Sequence, residues 1–160
     1  MNMKTCGIIT EYNPFHQGHI YHIKKTKELT QCDCLIAIVS NHFTQRGLFS
    51  LLTMQDKTKL ALEAGCNLVI ELPPCYAAQS ADYFAKYAVE SLSQLHIDQI
   101  CFGSETNNIS TLKEYSKQME STQVVPSLSM NQNLYTKNIR PNDILGIQYI
   151  KQCEKYGITP

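Results

Sequence analysis

Four short apolar runs, "CGIIT" (6–10), "CLIAIVS" (34–40), "NLVIEL" (67–72) and "QICFG" (99–103), constrain the fold of this chain more than any other feature. Each has strand length and lacks the polar alternation of a half-exposed strand, which suits parallel strands covered on both faces. Segments of helical spacing lie between them. "GHIYHIKKTKEL" follows the first run, and "MQDKTKLALEAG" follows the second and closes on Gly65 as a helix terminator. In "SADYFAKYAVESLSQL" the residues Phe84, Ala88, Leu92 and Leu95 recur at helical spacing and form one apolar stripe. Strands alternating with helices predict right-handed βαβ units and an open parallel α/β sheet. Ligands of such sheets sit beyond the carboxyl ends of the strands, so the loops after "CGIIT", "CLIAIVS" and "QICFG" are where a site is expected.

Beyond Glu105, "STLKEYSKQMES" predicts one more helix, with Ser110 or Thr111 as its cap and Glu114 three residues after Thr111. The following "TQVVPSLSMNQNLYTKNIR" is polar and aperiodic and reads as a mobile connection over 121–140. A last helix is predicted in "PNDILGIQYIKQCEKYG", with Pro141 suited to its first turn and Gly157 to its end. The expected organisation is a ligand-binding α/β domain over 1–120, the connection, and a helical segment over 141–160.

With 160 residues, 43% of them apolar, the chain suffices for one sizeable core. Fourteen Lys and Arg balance fourteen Asp and Glu, so overall charge neither proposes nor excludes a polyanionic partner. No run approaches the roughly 18 apolar residues of a membrane span, and "MNMKTCGIIT" is too short in its apolar part for a signal peptide. These features read as no membrane and a cytoplasmic location. Seven cysteines are scattered, and Cys32 and Cys34, separated by one residue and without a second pair, miss zinc-ribbon spacing. Disulfides are not expected in a reducing compartment.

The stretch "TEYNPFHQGHIYH" (10–22) carries three histidines at three-residue intervals directly after the first run. A helix beginning near Gly18 would aim unpaired backbone N–H groups at the carboxyl rim of the sheet, where the helix dipole favours an anion. His16 and His19 would flank that end, and imidazoles donate hydrogen bonds to phosphate oxygens. A metal reading needs His16, His19 and His22 on one face, yet residues six apart are turned by about 600°, or 240° net, around a helix. Phosphate contact is therefore favoured over a metal site and over a plain helix start with surface histidines, with His22 as the bystander. No metal site is expected.

The motif "HQGH" resembles the HxGH signature of the nucleotidyltransferase superfamily, and the longer "GIITEYNPFHQGH" resembles the amino terminus of the bacterial tRNA(Met) cytidine acetate ligases. "NHFTQRG", "LVIELP", "AAQSADYFA", "FGSE" and "PNDILGIQYIK" resemble later blocks of that family in the same order. The resemblance implies a Rossmann-like open parallel sheet of the HIGH-type nucleotidyltransferases with a short helical carboxyl-terminal segment. It also implies an enzyme that activates acetate with ATP and Mg²⁺ as acetyl-adenylate, then acetylates N4 of the wobble cytidine of elongator tRNA(Met). The first ATP-contacting loop falls on Gly7, Ile8, Ile9, Thr10, Glu11, Tyr12, Asn13, Pro14, Phe15, His16, Gln17, Gly18, His19 and Ile20, with His16 and His19 as catalytic histidines.

Gly103 in "FGSE" and Asn142 in "PNDILG" match two further nucleotide-contacting positions. Read from the residues alone, Gly103 is either a place where adenosine approaches or a plain turn glycine, and Asn142 is equally a helix-capping residue. Arg46, in the loop after the second strand, reaches a phosphate or tRNA in one reading and solvent in the other. Glu71, at the end of "LVIEL", would be costly if buried unpaired and reads as a structural anchor only.

The family is usually longer. "YGITP" falls where a basic strand and a serine-rich phosphate-binding motif would follow, the stretch between "FGSE" and "PNDILG" is shortened, and "NHFTQRGLFS" lacks the usual flanks. The expectation is a carboxyl-terminally truncated member whose fold survives better than its activity. A non-catalytic ATP- or RNA-binding remnant and an adenylyltransferase of a small phosphorylated metabolite remain as alternatives.

Overall fold

The computed structural model describes residues 3–121 and 139–160. The chain runs β1 (Thr5–Thr10), α1 (Gln17–Thr30), β2 (Cys34–Ser40), α2 (Met54–Ala64), β3 (Leu68–Leu72), a short α3 (Pro74–Ala77), α4 (Ala81–Ser93), β4 (Gln99–Ile100), α5 (Ile109–Ser121) and α6 (Pro141–Tyr156). The four strands form one parallel sheet in the order β3-β2-β1-β4. This is the open parallel α/β sheet anticipated from the alternating runs and the Rossmann-like architecture that the resemblance implies, with the short carboxyl-terminal helix in place.

The unalternated apolar runs follow from burial on both faces. Along β2, Leu35, Ala37 and Val39 turn toward Ile23 of α1 and Ala61 of α2, while Ile36 and Ile38 turn toward Phe84, Ala88 and Leu92 of α4. In β1 the alternation places Gly7 against α4, where a Cβ would come within 2.7 Å of Leu92 Cδ1 and 2.9 Å of Ile97 Cδ1. Glycine at this position lets the helix lie close on the strand.

Several boundaries differ from the sequence reading. The stripe of α4 stops at Leu92, because the helix ends at Ser93; Leu95 lies beyond it and is 39% exposed. The fourth run is paired only at Gln99 and Ile100, and the next residues leave the sheet, with Cys101 N still donating to Gly7 O at 3.0 Å. Helix α5 begins earlier, at Ile109, and its cap is Asn108, whose Oδ1 accepts from Thr111 N at 3.1 Å, in place of Ser110 or Thr111. The expected connection over 121–140 lies almost entirely outside the described residues.

Helix α6 returns to the main body. Ile144, Ile147 and Ile150 pack with Leu112, Ile139 and Ala81, and Tyr149 and Cys153 join the core on the α4 face of the sheet. The chain then turns at Gly157 (φ 67°), and Thr159 bridges β4 in parallel: Ile100 N donates to Thr159 O at 2.8 Å, and Thr159 N to Asp98 O at 3.0 Å. Among the described residues no helix is long and apolar enough to cross a membrane.

Candidate functional site

The amino end of α1 is built by two imidazoles. His16 is the N-cap in extended conformation; its Nδ1 accepts from Gly18 N at 3.0 Å, while His19 Nδ1 accepts from His16 N at 3.1 Å. This is a capping box in which histidines replace the usual Ser/Thr and Glu/Gln pair. The two rings stack, with centroids 3.9 Å apart and an interplanar angle of 29°. Because both Nδ1 atoms accept hydrogen bonds, each neutral ring carries its proton on Nε2 and offers that N–H as a donor. Gly18 leaves room for the cap: a Cβ there would stand 2.9 Å from His16 Cε1 and 3.0 Å from its Nδ1.

The first turn of α1 contains no acidic residue, so the positive end of the helix dipole is uncompensated by the helix itself. His19 is held neutral. Burial first, then the neighbouring His16 and His22, lower its pKa to about 4, and Tyr12 packs edge-on against it at 4.9 Å. Burial also lowers the pKa of His22. Among the described residues no group of three or more His, Cys, Asp or Glu is placed to hold a metal ion.

A second wall comes from the loop after β2. Phe43 and Phe49 form an antiparallel bridge, Thr44 N donates to Leu48 O at 2.9 Å, and Gly47 supplies the turn with φ 77°. The rim loop after β1 holds this hairpin on two sides. The Glu11 carboxylate accepts from Gln45 N, and Asn13 both accepts from Leu51 N at 2.7 Å and donates to Phe49 O at 3.2 Å. These ties bring Arg46 and Leu48 to the cavity.

Below the hairpin, Lys57 of α2 is fully buried, its Nζ donating to Ser40 O at 2.7 Å and Asn41 O at 3.1 Å. Burial lowers its pKa, and the charge of Glu11 acts in the opposite sense. The sequence reading passed over this lysine. Helical phase held the signal, since Lys57 and Ala61, one turn apart, are the buried positions of α2.

The opposite wall joins the loop after β4 to the start of α6. Gly103 has nothing within 4 Å of where its Cβ would be. Asn142 is the second residue of α6, after the N-cap Arg140 and Pro141, so its side chain is not the helix cap. Together the walls enclose an open cavity of about 1340 Å³ at the carboxyl rim.

Of the residues singled out in the sequence, the cavity gathers Ile9, Thr10, Glu11, Tyr12, Asn13, His16, Gly18, His19, Arg46, Gly103 and Asn142, and His22 lines it as well. Gly7 and Ile8 lie within the sheet, Ile8 fully buried. Phe15 packs beside Tyr12 and His19, at 4.8 and 5.5 Å between centroids, while Pro14 and Gln17 are exposed; with Ile20, these do not line the cavity. Glu71 is exposed and accepts from Asn41 Nδ2 at 2.8 Å.

This arrangement suits a ligand with one anionic end and one larger, less charged end. Imidazole donors and an uncompensated helix terminus face the first, and an open glycine and an asparagine face the second.

The chain is also similar to known proteins. The profile described as HIGH Nucleotidyl Transferase matches residues 3–159. The tRNA(Met) cytidine acetate ligase of Geobacillus sp. (strain WCH70) is 41% identical over 180 residues, covering 99% of this chain and 45% of its own. That of Clostridium novyi (strain NT) is 41% identical over 182 residues, covering 98% and 46%. Among solved structures, Thermotoga maritima TmcAL bound with alpha-thio ATP superposes with a TM-score of 0.87 at 30% identity, covering 98% of this chain and 45% of that one. The chain thus spans just under half the length of the curated relatives it matches.

Proposed function

The chain belongs to the HIGH nucleotidyl transferase family, and from that premise we propose that it binds ATP across this cavity and activates acetate as acetyl-adenylate, for transfer to N4 of the wobble cytidine of elongator tRNA(Met). The observation that carries the reading is the imidazole-capped end of α1, facing one cavity with Gly103 and Asn142.

The phosphates lie toward α1, where the Nε2–H groups of His16 and His19 and the guanidinium of Arg46 meet charge that builds as the reaction proceeds. The nucleoside lies toward Gly103 and Asn142. An acetate oxygen attacks the α-phosphorus, the bond to the β-phosphate bridging oxygen breaks, and pyrophosphate leaves with its electron pair. The cytidine amine then attacks the activated carbonyl carbon, AMP leaves, and the amine loses a proton. A carboxylate is already ionised at neutral pH, so the first step depends on positioning rather than on a general base.

Glu11 is the one carboxylate among the cavity-lining residues, and one of its oxygens is engaged by Gln45. Glu11 would be the residue to hold Mg²⁺ brought in with the triphosphate, and the ion would supply neutralisation of the phosphate charge. With tRNA as acceptor, the proposed compartment is the cytoplasm.

The test is exchange of labelled pyrophosphate into ATP by the purified chain, with and without acetate, with His16→Ala as control. Acetate-dependent exchange, reduced about 10²-fold or more in the variant, is the expected outcome. ATP bound without exchange under any acceptor would replace the ligase reading by that of a nucleotide-binding module.

A further inference from the structure

Among the helix amino termini at the cavity, those of α1 and α6 are finished in opposite ways. At α1 the caps are imidazoles and the first turn holds no acid. At α6 the backbone N–H groups of Asn142 and Asp143 donate to Glu105 Oε1 at 3.3 Å and Oε2 at 3.0 Å. The Asp143 carboxylate, 3% exposed, reaches back and accepts from Thr106 N at 3.1 Å and from Thr106 Oγ1 at 2.6 Å. Each segment therefore caps the other. Four hydrogen bonds join 105–106 to 142–143, directly beside the cavity residues Gly103 and Asn142.

We propose that Glu105, with Asp143, is a positioning residue for the nucleoside end of the ligand. This rests on the ATP reading above and deepens it. The interlock sets the separation of Gly103 and Asn142, which come from segments almost forty residues apart in the chain, as about one rigid unit. It also fills the positive end of α6 with carboxylates, and with Asp82 in the first turn of α4, the acid-free α1 terminus is the one that favours the anionic end. Glu105 touches no reacting atom in this role; it fixes which way round the nucleotide lies.

Calorimetric titration of the 160-residue chain with ATP, adenosine and tripolyphosphate separates the two ends. In Glu105→Ala, affinity for ATP and adenosine is expected to fall about tenfold, while affinity for tripolyphosphate stays within about twofold or rises as α6 is uncovered. Glu105→Gln keeps an acceptor oxygen and most of the shape, so it should fall between wild type and Glu105→Ala; it also carries the comparison if the alanine variant does not fold.

Unchanged adenosine affinity in a folded variant overturns the proposal. So does an equal loss for adenosine and tripolyphosphate, which would mark a general loosening. Failure of the wild-type chain to bind ATP overturns the underlying nucleotide reading, and the wild-type titration alone reveals it.

Discussion

Gly7 and Gly103 are the same residue type serving opposite spatial needs. A Cβ on Gly7 would press on Leu92 and Ile97, both in the core, whereas one on Gly103 would meet nothing within 4 Å. Overpacking a close-packed site costs about 1–3 kcal/mol, so Gly7→Ala should lower the urea unfolding midpoint by a corresponding amount. Gly103→Ala should leave that midpoint nearly unchanged but weaken ATP binding several-fold, because the added methyl projects into the cavity proposed for the nucleoside. The sequence placed both glycines in functional blocks. It could not separate them, because the distinction depends on Leu92 of α4 and Ile97 just beyond that helix, both remote in the chain.

At the scale of the element, α1 owes its start to a titratable cap. The pKa of His19 is lowered from 6.5 to about 4, so as pH falls the unfolded chain takes up this proton before the folded one. The stability contributed by the neutral ring is complete above about pH 6.5 and is lost as pH falls through about 4; linkage gives about 3 kcal/mol, which solvent screening of the half-buried ring reduces to the order of 1–2 kcal/mol. Glutamine is a usual partner in a capping box and does not titrate. His19→Gln should therefore flatten the fall in urea stability between about pH 6.5 and 4 relative to wild type, and parallel slopes in the two proteins would exclude the effect. The helix start near Gly18 was legible in "HQGH"; that the histidines themselves cap it was not. Spacing gives proximity, whereas a cap needs the ring orientations.

For the molecule as a whole, β1 and β2 are central and β3 is a sheet edge with Leu68 42% exposed. Amides of Ile8 and of Ile36–Val39 should exchange most slowly with solvent, near the global unfolding limit, and those of β3 faster, as measured by hydrogen exchange. The sequence by itself determined the parallel α/β class, the four strands and the rim where the cavity opens, because unbroken apolar runs and helical periods are local properties of adjacent residues. Only the tertiary structure decided that Lys57 is buried beneath the rim, that Glu11 and Asn13 hold the hairpin of Arg46, and that Glu105 and Asp143 lock the far wall. Each of these joins residues distant in the chain, and such contacts leave no periodicity behind. They exist once the sheet has fixed where its loops meet.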